Sequence, residues 1–369
     1  MAMRLCCSSG SWIALSIFRS GSRPYYCNPS LLSIFGFIGS SHSFLPFRQQ
    51  FSVRLGERSK MTSPLIDVDC NLWHEDLKTL QSKDIADDDF WNILREDAIE
   101  EANIDSMLSP SSTIQQAKRG LERLKNSPPP LSIKTTVGVH PYHVNDLEFE
   151  GKSLVEHGDV IRTMIQSNAD LCAAVGECGL DTSEGFPPLE DQVPWFQLQV
   201  EIAEELNLPL FVHERFAFEE TMRILEKATV PIIIHCFTGN KEECTEYIKR
   251  GYYISVSGFI LKESAQEVCE CLREGVIPLD KLMIETDAPY MGFANCRDLY
   301  VKKNEIYASG LNAKKRKRLQ QSIYPNVPSS LPMVLEKVAA CLHQHDASIT
   351  QDRVAEQTFL NAKTFFQFS

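Results

Sequence analysis

From Leu65 onward, short apolar and β-branched runs alternate with longer stretches whose apolar positions recur every three or four residues. The runs at 65–70, 104–108, 133–139, 171–176, 208–212, 230–234, 252–256 and 281–286 predict eight strands. Most are apolar at successive positions, as strands of a parallel sheet covered on both faces are. Helical spacing occupies 84–101, 113–126, 153–167, 190–206, 218–227, 241–249 and 265–274, with two further helices at 332–342 and 349–365. Ile114, Ala117, Leu121 and Leu124 mark one such helical face, and Pro128-Pro129-Pro130 breaks the chain before the third strand. Eight alternations over about 280 residues predict an α/β fold of the (β/α)8 TIM-barrel kind rather than an open doubly wound sheet.

Working residues in such a barrel stand at the C-terminal ends of the strands and face one mouth. Four strand ends here carry a metal-type ligand. They are Glu177 in Val175-Gly176-Glu177-Cys178-Gly179, His213 in Phe211-Val212-His213-Glu214-Arg215, His235 in Ile232-Ile233-Ile234-His235-Cys236, and Asp287 in Met283-Ile284-Glu285-Thr286-Asp287. Singly, each has a bland reading: a histidine after a strand is commonly a satisfied turn residue, and Asp287 suits a helix N-cap. Together they fall at the ends of strands 4, 5, 6 and 8, which only a closed barrel makes neighbours, so they predict a metal site at the C-terminal mouth. Carboxylates and imidazoles without cysteine suit Mg, Mn or Zn and exclude a structural thiolate site. Two divalent ions about 3.5–4 Å apart would clamp the attacking and leaving oxygens of a displacement, with Glu177 bridging them. Asp287 would then bind one ion and take a proton from the activated water, and no Ser or Cys nucleophile is needed.

Composition adds limits. The chain has 369 residues, 43% of them hydrophobic, enough for one barrel with a tail and insertions. No run of about 20 apolar residues occurs, so no membrane-spanning helix is expected. Twelve cysteines without a Cys-x-x-Cys pair predict no disulfides. Residues 1–60 are a separate population: Arg4, Arg19, Arg23, Arg48, Arg54, Arg58 and Lys60 face only one acid, Glu57, among frequent serines. That composition predicts a disordered transit peptide for mitochondrion or chloroplast, ahead of a barrel at 61–369. The competing readings are a secretory signal, against which no single apolar core precedes a small-residue cleavage site, and a translation start at Met61 that leaves the protein in the cytoplasm or nucleus. Without those seven cations and one anion the formal charge falls from −12 to −18. So acidic a body does not adhere to nucleic acid by charge alone; such a substrate needs local basic groups and metal ions. One local run exists, Lys314-Lys315-Arg316-Lys317-Arg318, predicted to lie in a long loop at the mouth. A solvated surface, a nuclear-targeting patch and a phosphate-gripping loop are its three readings.

Five motifs now stand in order: Gly138-Val139-His140-Pro141, Gly176-Glu177-Cys178-Gly179-Leu180-Asp181, His213-Glu214-Arg215, His235-Cys236-Phe237-Thr238-Gly239 and Glu285-Thr286-Asp287-Ala288-Pro289-Tyr290. With them the chain resembles, from about residue 65 to residue 366, the TatD family of metal-dependent deoxyribonucleases in the amidohydrolase-like barrel superfamily. The resemblance implies a metal-dependent DNA hydrolase, typically a 3′→5′ exonuclease. It implies Glu177, His213, His235 and Asp287 as metal ligands, and His140 as a contact to substrate phosphate. Strand 1 departs from the pattern, with Asp69 and Asn71 where many relatives carry His-x-His. One branch also has Asn at the second position, but commonly Gly at the first. Oxygen donors there favour Mg over Zn, so two Mg ions are the expected cofactors, with Asp69 and Asn71 as further candidate ligands. The plain alternative for Asp69 is a turn cap or an ion pair with a lysine.

Arg215 would grip a phosphate bidentately, or else pair with Glu219 or Asp181. Tyr290 and Phe237 would stack on a base, or else pack at the rim. Residues 324–328 partly match a short Asn-Pro motif that follows strand 8 in relatives. The expected partner is DNA, single-stranded or at 3′ ends, because a barrel mouth admits one strand more easily than a duplex. Two alternatives stay open: an ester or amide substrate such as a modified tRNA, since barrels host many chemistries, and a scaffold that lost activity with its strand-1 histidines.

Overall fold

The computed structural model describes residues 63–74, 77, 87–146, 151–298 and 312–369. The transit-peptide reading of 1–60 and the start of the first predicted helix lie outside the described residues. Strands β1 (Leu65–Asp67), β2 (Ile104–Ser109), β3 (Ser132–Val137), β4 (Cys172–Asp181), β5 (Leu210–Arg215), β6 (Ile232–Ile234), β7 (Tyr253–Val256) and β8 (Leu282–Ile284) pair in parallel in chain order. The ring closes where Val68 N donates to Ile284 O at 3.3 Å and Asp287 N to Asp69 O at 2.8 Å. A Cys70–Ala288 bridge continues that seam.

Helices α1 (Asp87–Leu94, continued by a π-helical stretch, Arg95–Glu101), α2 (Ile114–Asn126), α3 (Leu154–Gln166), α4 (Leu189–Leu206), α5 (Phe218–Ile224), α6 (Lys241–Lys249) and α7 (Gln266–Arg273) alternate with the strands. Starts are fixed by side chains: Ser153 and Asn240 form capping boxes with Glu156 and Glu243. After β8 come α8 (Ala313–Gln320), α9 (Leu331–His345) and α10 (Gln351–Phe365). None of the described helices is long and apolar enough to cross a membrane.

Side chains alternate across a strand, so each run has an inward and an outward set. Ile66, Leu108, Ala174, Phe211, Ile233 and Met283 form one buried cluster with Phe365, Phe366 and Phe368. The Phe211 and Phe366 ring centroids are 6.2 Å apart, and Asn361 Nδ2 donates to Leu282 O at the start of β8. The C-terminal segment therefore stops the N-terminal end of the barrel. Burying a phenylalanine of that kind contributes roughly 1.5–3 kcal/mol. A larger cluster, with Val175, Val212, Ile234, Ile254 and Ile284, packs the outward faces against the helices.

Three elements differ from the sequence expectation. β4 and β5 run on to Asp181 and Arg215, so Glu177 and His213 lie within strands rather than after them. Their upper halves line a polar cup, which erases the apolar signal there. The basic run at 314–318 lies in α8 rather than in a loop, while 299–311 lies outside the described residues.

Candidate metal centre at the barrel mouth

The inward set continues upward in steps of two. Phe211 is followed by His213, Ile233 by His235 and Met283 by Glu285, so a layer of apolar side chains carries a layer of ligands. Glu177 arrives differently. Val175 pairs with Leu210 but Cys178 with Val212, a bulge that fits three steps of β4 against two of β5. Gly176 (φ 145°) and Gly179 (φ 139°) make that contact possible: a Cβ on them would run into the backbone carbonyls of Phe211 and His213 respectively. Cys236 (φ 46°) and Asp287 (φ 53°) occupy left-handed backbone just beyond β6 and β8. Such conformations cost on the order of 1–3 kcal/mol each and concentrate at functional sites.

Two groups of metal-capable side chains result. His140 Nε2 and His213 Nδ1 each lie 3.3 Å from Glu177 Oε1. Beside them, His235 Nδ1 lies 3.1 Å from Asp69 Oδ2 and 3.6 Å from Glu285 Oε1. Within each group the ligand atoms are within 4.8 Å of one another. His235 joins the groups, because its Nε2 meets Glu177 Oε1 at 2.8 Å. Asp287 belongs to neither group but lines the same cavity, and Asn71 Nδ2 spans from Asp69 Oδ1 (3.0 Å) to Asp287 Oδ1 (3.4 Å). All the side chains expected at the site thus meet in one cavity wall or its floor.

Hydrogen bonds fix which nitrogen of each ring is open. His213 Nε2 sits 2.9 Å from Asp181 Oδ2, so it carries the proton and Nδ1 presents a lone pair. His140 Nδ1 accepts from Tyr142 N at 3.1 Å, which puts its proton on Nε2, facing Glu177. That geometry suits His140 better as a donor to an anion than as a ligand, in keeping with a phosphate contact. For His235, Nε2 donates to Glu177, leaving Nδ1 aimed at two carboxylates.

His235 Nδ1, Asp69 Oδ2 and Glu285 Oε1 are all buried and lack hydrogen-bond partners despite their closeness. Three such atoms turned on one another make an arrangement that a bound cation satisfies. The charges agree. Burial first, then the Asp287 and Glu285 charges, holds the Asp69 carboxyl well above the usual range, against the pull of His235. Burial, with Glu285 and Glu177 nearby, raises Asp287 to about 7 although His235 pulls it down. Glu177 goes the other way: burial would raise it, but His140, His235 and the bonds from His213 and His235 hold it well below normal. Carboxylate and imidazole donors of this kind fit Mg, Mn or Zn.

The rim is aromatic and basic. Arg215 lines the cavity with its guanidinium 5.2 Å from the Phe216 ring, and its buried Nε has no hydrogen-bond partner. Neither Glu219 nor Asp181 pairs with it; Asp181 is taken by His213. Tyr142, Phe216 and Tyr290 are exposed, and Phe186 stacks near His213 at 6.3 Å. Phe237, by contrast, is buried against Tyr247 at 6.3 Å and belongs to the core, not to a base-stacking surface. Among the described residues Asp69 pairs with no lysine; its carboxylate faces His235 and Asn71. Two further carboxylates join the site: Glu285, to which counting in twos from Met283 points, and Asp181, which pairs with His213 rather than with Arg215.

Fold and cup together define a class: a (β/α)8 barrel with a candidate metal centre at its C-terminal mouth. The model of the family described as TatD related DNase matches residues 66–367, and the chain belongs to that family. Among curated relatives, the "3'-5' ssDNA/RNA exonuclease TatD" of Erwinia tasmaniensis is 31% identical over 271 residues, covering 72% of this chain and 90% of that protein. The protein of the same name from Escherichia coli K12 is 32% identical over 239 residues, covering 64% and 78%. A solved TatD family hydrolase from Entamoeba histolytica superposes with a TM-score of 0.65 at 22% identity, covering 83% of this chain and 99% of that one. YJJV, a TatD homologue from Escherichia coli, gives 0.61 at 21%, covering 83% and 98%. At those identities the solved structures speak for the fold.

Proposed function

We propose that the protein is a metal-dependent phosphodiesterase that removes nucleotides from the 3′ end of a single nucleic-acid strand. The observation that carries this reading is the pair of ligand groups at one mouth, joined by the contact of His235 with Glu177, with three orphaned buried atoms in one of them. Relatives named for 3′→5′ action on single-stranded DNA and RNA support the substrate class. Divalent ions held there would supply Lewis acidity for water activation and for the charge developing on a phosphate.

The chain's own residues supply the rest. Asp69, His235 and Glu285 would hold one ion and Glu177 and His213 a second, and Mg would suit the oxygen-rich set. Asp287, oriented by Asn71, accepts a proton at its carboxylate. His140 Nε2 and Arg215 Nε donate to phosphate oxygens. Tyr142, Phe186 and Tyr290 offer faces on which unpaired bases stack, which favours a single strand over a duplex.

The test is end-labelled single-stranded DNA and RNA with the purified protein and Mg. Stepwise shortening, lost with EDTA and in His235→Ala, supports the reading. Ester or amide turnover without shortening, or inertness towards all substrates, removes it. Residues 1–60 are inferred to direct import into mitochondrion or chloroplast; a reporter fused to them would concentrate in an organelle, and diffuse signal would end that inference.

A further inference from the structure

The basic run at 314–318 has no part in the cup, yet it is built with care. Five of the eight residues of α8 are Lys or Arg, in a chain whose formal charge is −12. Like charges three and four apart, such as Lys314 with Lys317 and Arg318, disfavour a helix. Here the helix is held from outside. Arg297 donates from Nη2 to Leu319 O at 2.7 Å and from Nη1 to Pro325 O at 3.0 Å, and Ile323 N donates to Arg318 O. The Tyr324 ring lies 5.4 Å from Lys315 Nζ and 5.0 Å from the Arg318 guanidinium. Lys314, Arg316 and Lys317 remain exposed on the outer side.

The same anchor reaches the cup. Asn326 Nδ2 donates to Thr286 O at 2.8 Å, between Glu285 and Asp287, and Asn326 N to Pro289 O at 3.0 Å. Lys262 fills the interval: its Nζ is 3.3 Å from Sδ of Met291, a residue of the cavity wall. Burial chiefly, and then the positive charges of Arg318 and Arg215, depress its ammonium, while Cys236 and Asp287 pull it up. Arg215 on the cavity wall, Lys262 against Met291 of the same wall, and Arg318 over the ring of Tyr324, two residues before Asn326, form a chain of cations tied to the cup.

We propose that this chain is a track for the phosphates of a nucleic-acid strand whose 3′ end lies in the cup, with α8 gripping nucleotides several positions from the end. The proposal rests on the nuclease reading and adds to it a second, sequence-independent binding surface. Its physical basis is local: a chain of net charge −12 needs a concentrated positive strip to hold a polyanion. The grip depends on strand length, since no residue of α8 lines the cavity that receives the end of the strand.

The test compares the full chain with Lys314→Gln/Arg316→Gln/Lys317→Gln, which leaves Lys315, Arg318 and Lys262 in place. Anisotropy of a labelled single strand of about 20 nucleotides, in EDTA to prevent cleavage, gives affinity against salt. Three lost phosphate contacts should weaken binding about tenfold or more at moderate salt and lower the log–log salt slope by about 2, at about 0.7 per phosphate. With Mg, kcat/KM on the long strand should fall by a similar factor, through KM, while that on a dinucleotide stays unchanged. An unchanged affinity and slope, or an equal loss on the dinucleotide, would overturn the track. A far-ultraviolet melt of the variant matching the parent separates loss of charge from loss of fold, and Lys262→Gln gives an independent weakening of the same binding. If the parent degrades no nucleic acid, the nuclease reading fails, while the anisotropy arm still decides the track.

Discussion

His235 ties the site together, because its two ring nitrogens face carboxylates of both ligand groups. Nε2 is satisfied by Glu177, but Nδ1, Asp69 Oδ2 and Glu285 Oε1 are left for a cation. Asp69→Ala should therefore raise the Mg concentration needed for half-maximal activity, and an unchanged metal dependence would exclude Asp69 as a ligand. Asp181→Asn tests the partner of His213. The amide keeps the size but no longer fixes the proton on Nε2, so Mn affinity by calorimetry should fall about 10- to 100-fold. Activity should return at high metal; permanent loss would give Asp181 another role. Sequence led to His213 and His235 because each follows an apolar run ending at a predicted strand. It passed over Glu285 because Asp287, two residues on, looked like the strand-end acid. Only the left-handed turn at Asp287, invisible in residue types, shows that both carboxylates reach the cup.

At the scale of elements, the apolar runs marked every strand, since burial on both faces leaves an uninterrupted signal. They failed where a strand turned into wall: Glu177 to Asp181 and His213 to Arg215 are strand by pairing yet polar or small by composition. α8 was illegible for another reason, because its stability comes from Arg297 and Tyr324 rather than from its own spacing. A third case is the π-helical stretch after α1, where Asp97 is buried and accepts from Ser329 N at 3.1 Å. Burial, outweighing the bonds from Ser329, raises its carboxyl to about 7. The folded state then binds a proton that an unfolded chain releases near pH 4, so between about 4 and 7 stability falls as pH rises. Asp97→Asn keeps the acceptor and removes the charge. Its melting temperature should gain on the parent as pH is raised from 5 to about 8, reaching a constant difference above the folded-state value. Parallel curves across that window would mean that Asp97 does not titrate in the fold.

Across the whole molecule, the two ends of the barrel have opposite energetics. The closed end is apolar, with Phe366 buried against Phe211, and Phe366→Ala should cost about 3–5 kcal/mol. The open end gathers Asp69, Glu177, Glu285 and Asp287 around imidazoles, an arrangement that mutual repulsion and burial destabilise until cations enter. Metal binding to the folded state alone must then stabilise the barrel, by about 2.7 kcal/mol per site at a hundredfold excess over Kd. Phe366 reaches the ligands through Phe211, which stacks on His235 at 4.7 Å, rather than directly, so the effects should add approximately. In thermal melts, Mn should raise the parent by several degrees over EDTA. Phe366→Ala should start lower yet gain the same increment, whereas His235→Ala should gain much less. If the increment survived His235→Ala undiminished, the cations would be binding elsewhere. If Phe366→Ala abolished it, floor and cup would be one cooperative unit, and the ligand layer would owe its geometry to the plug beneath it.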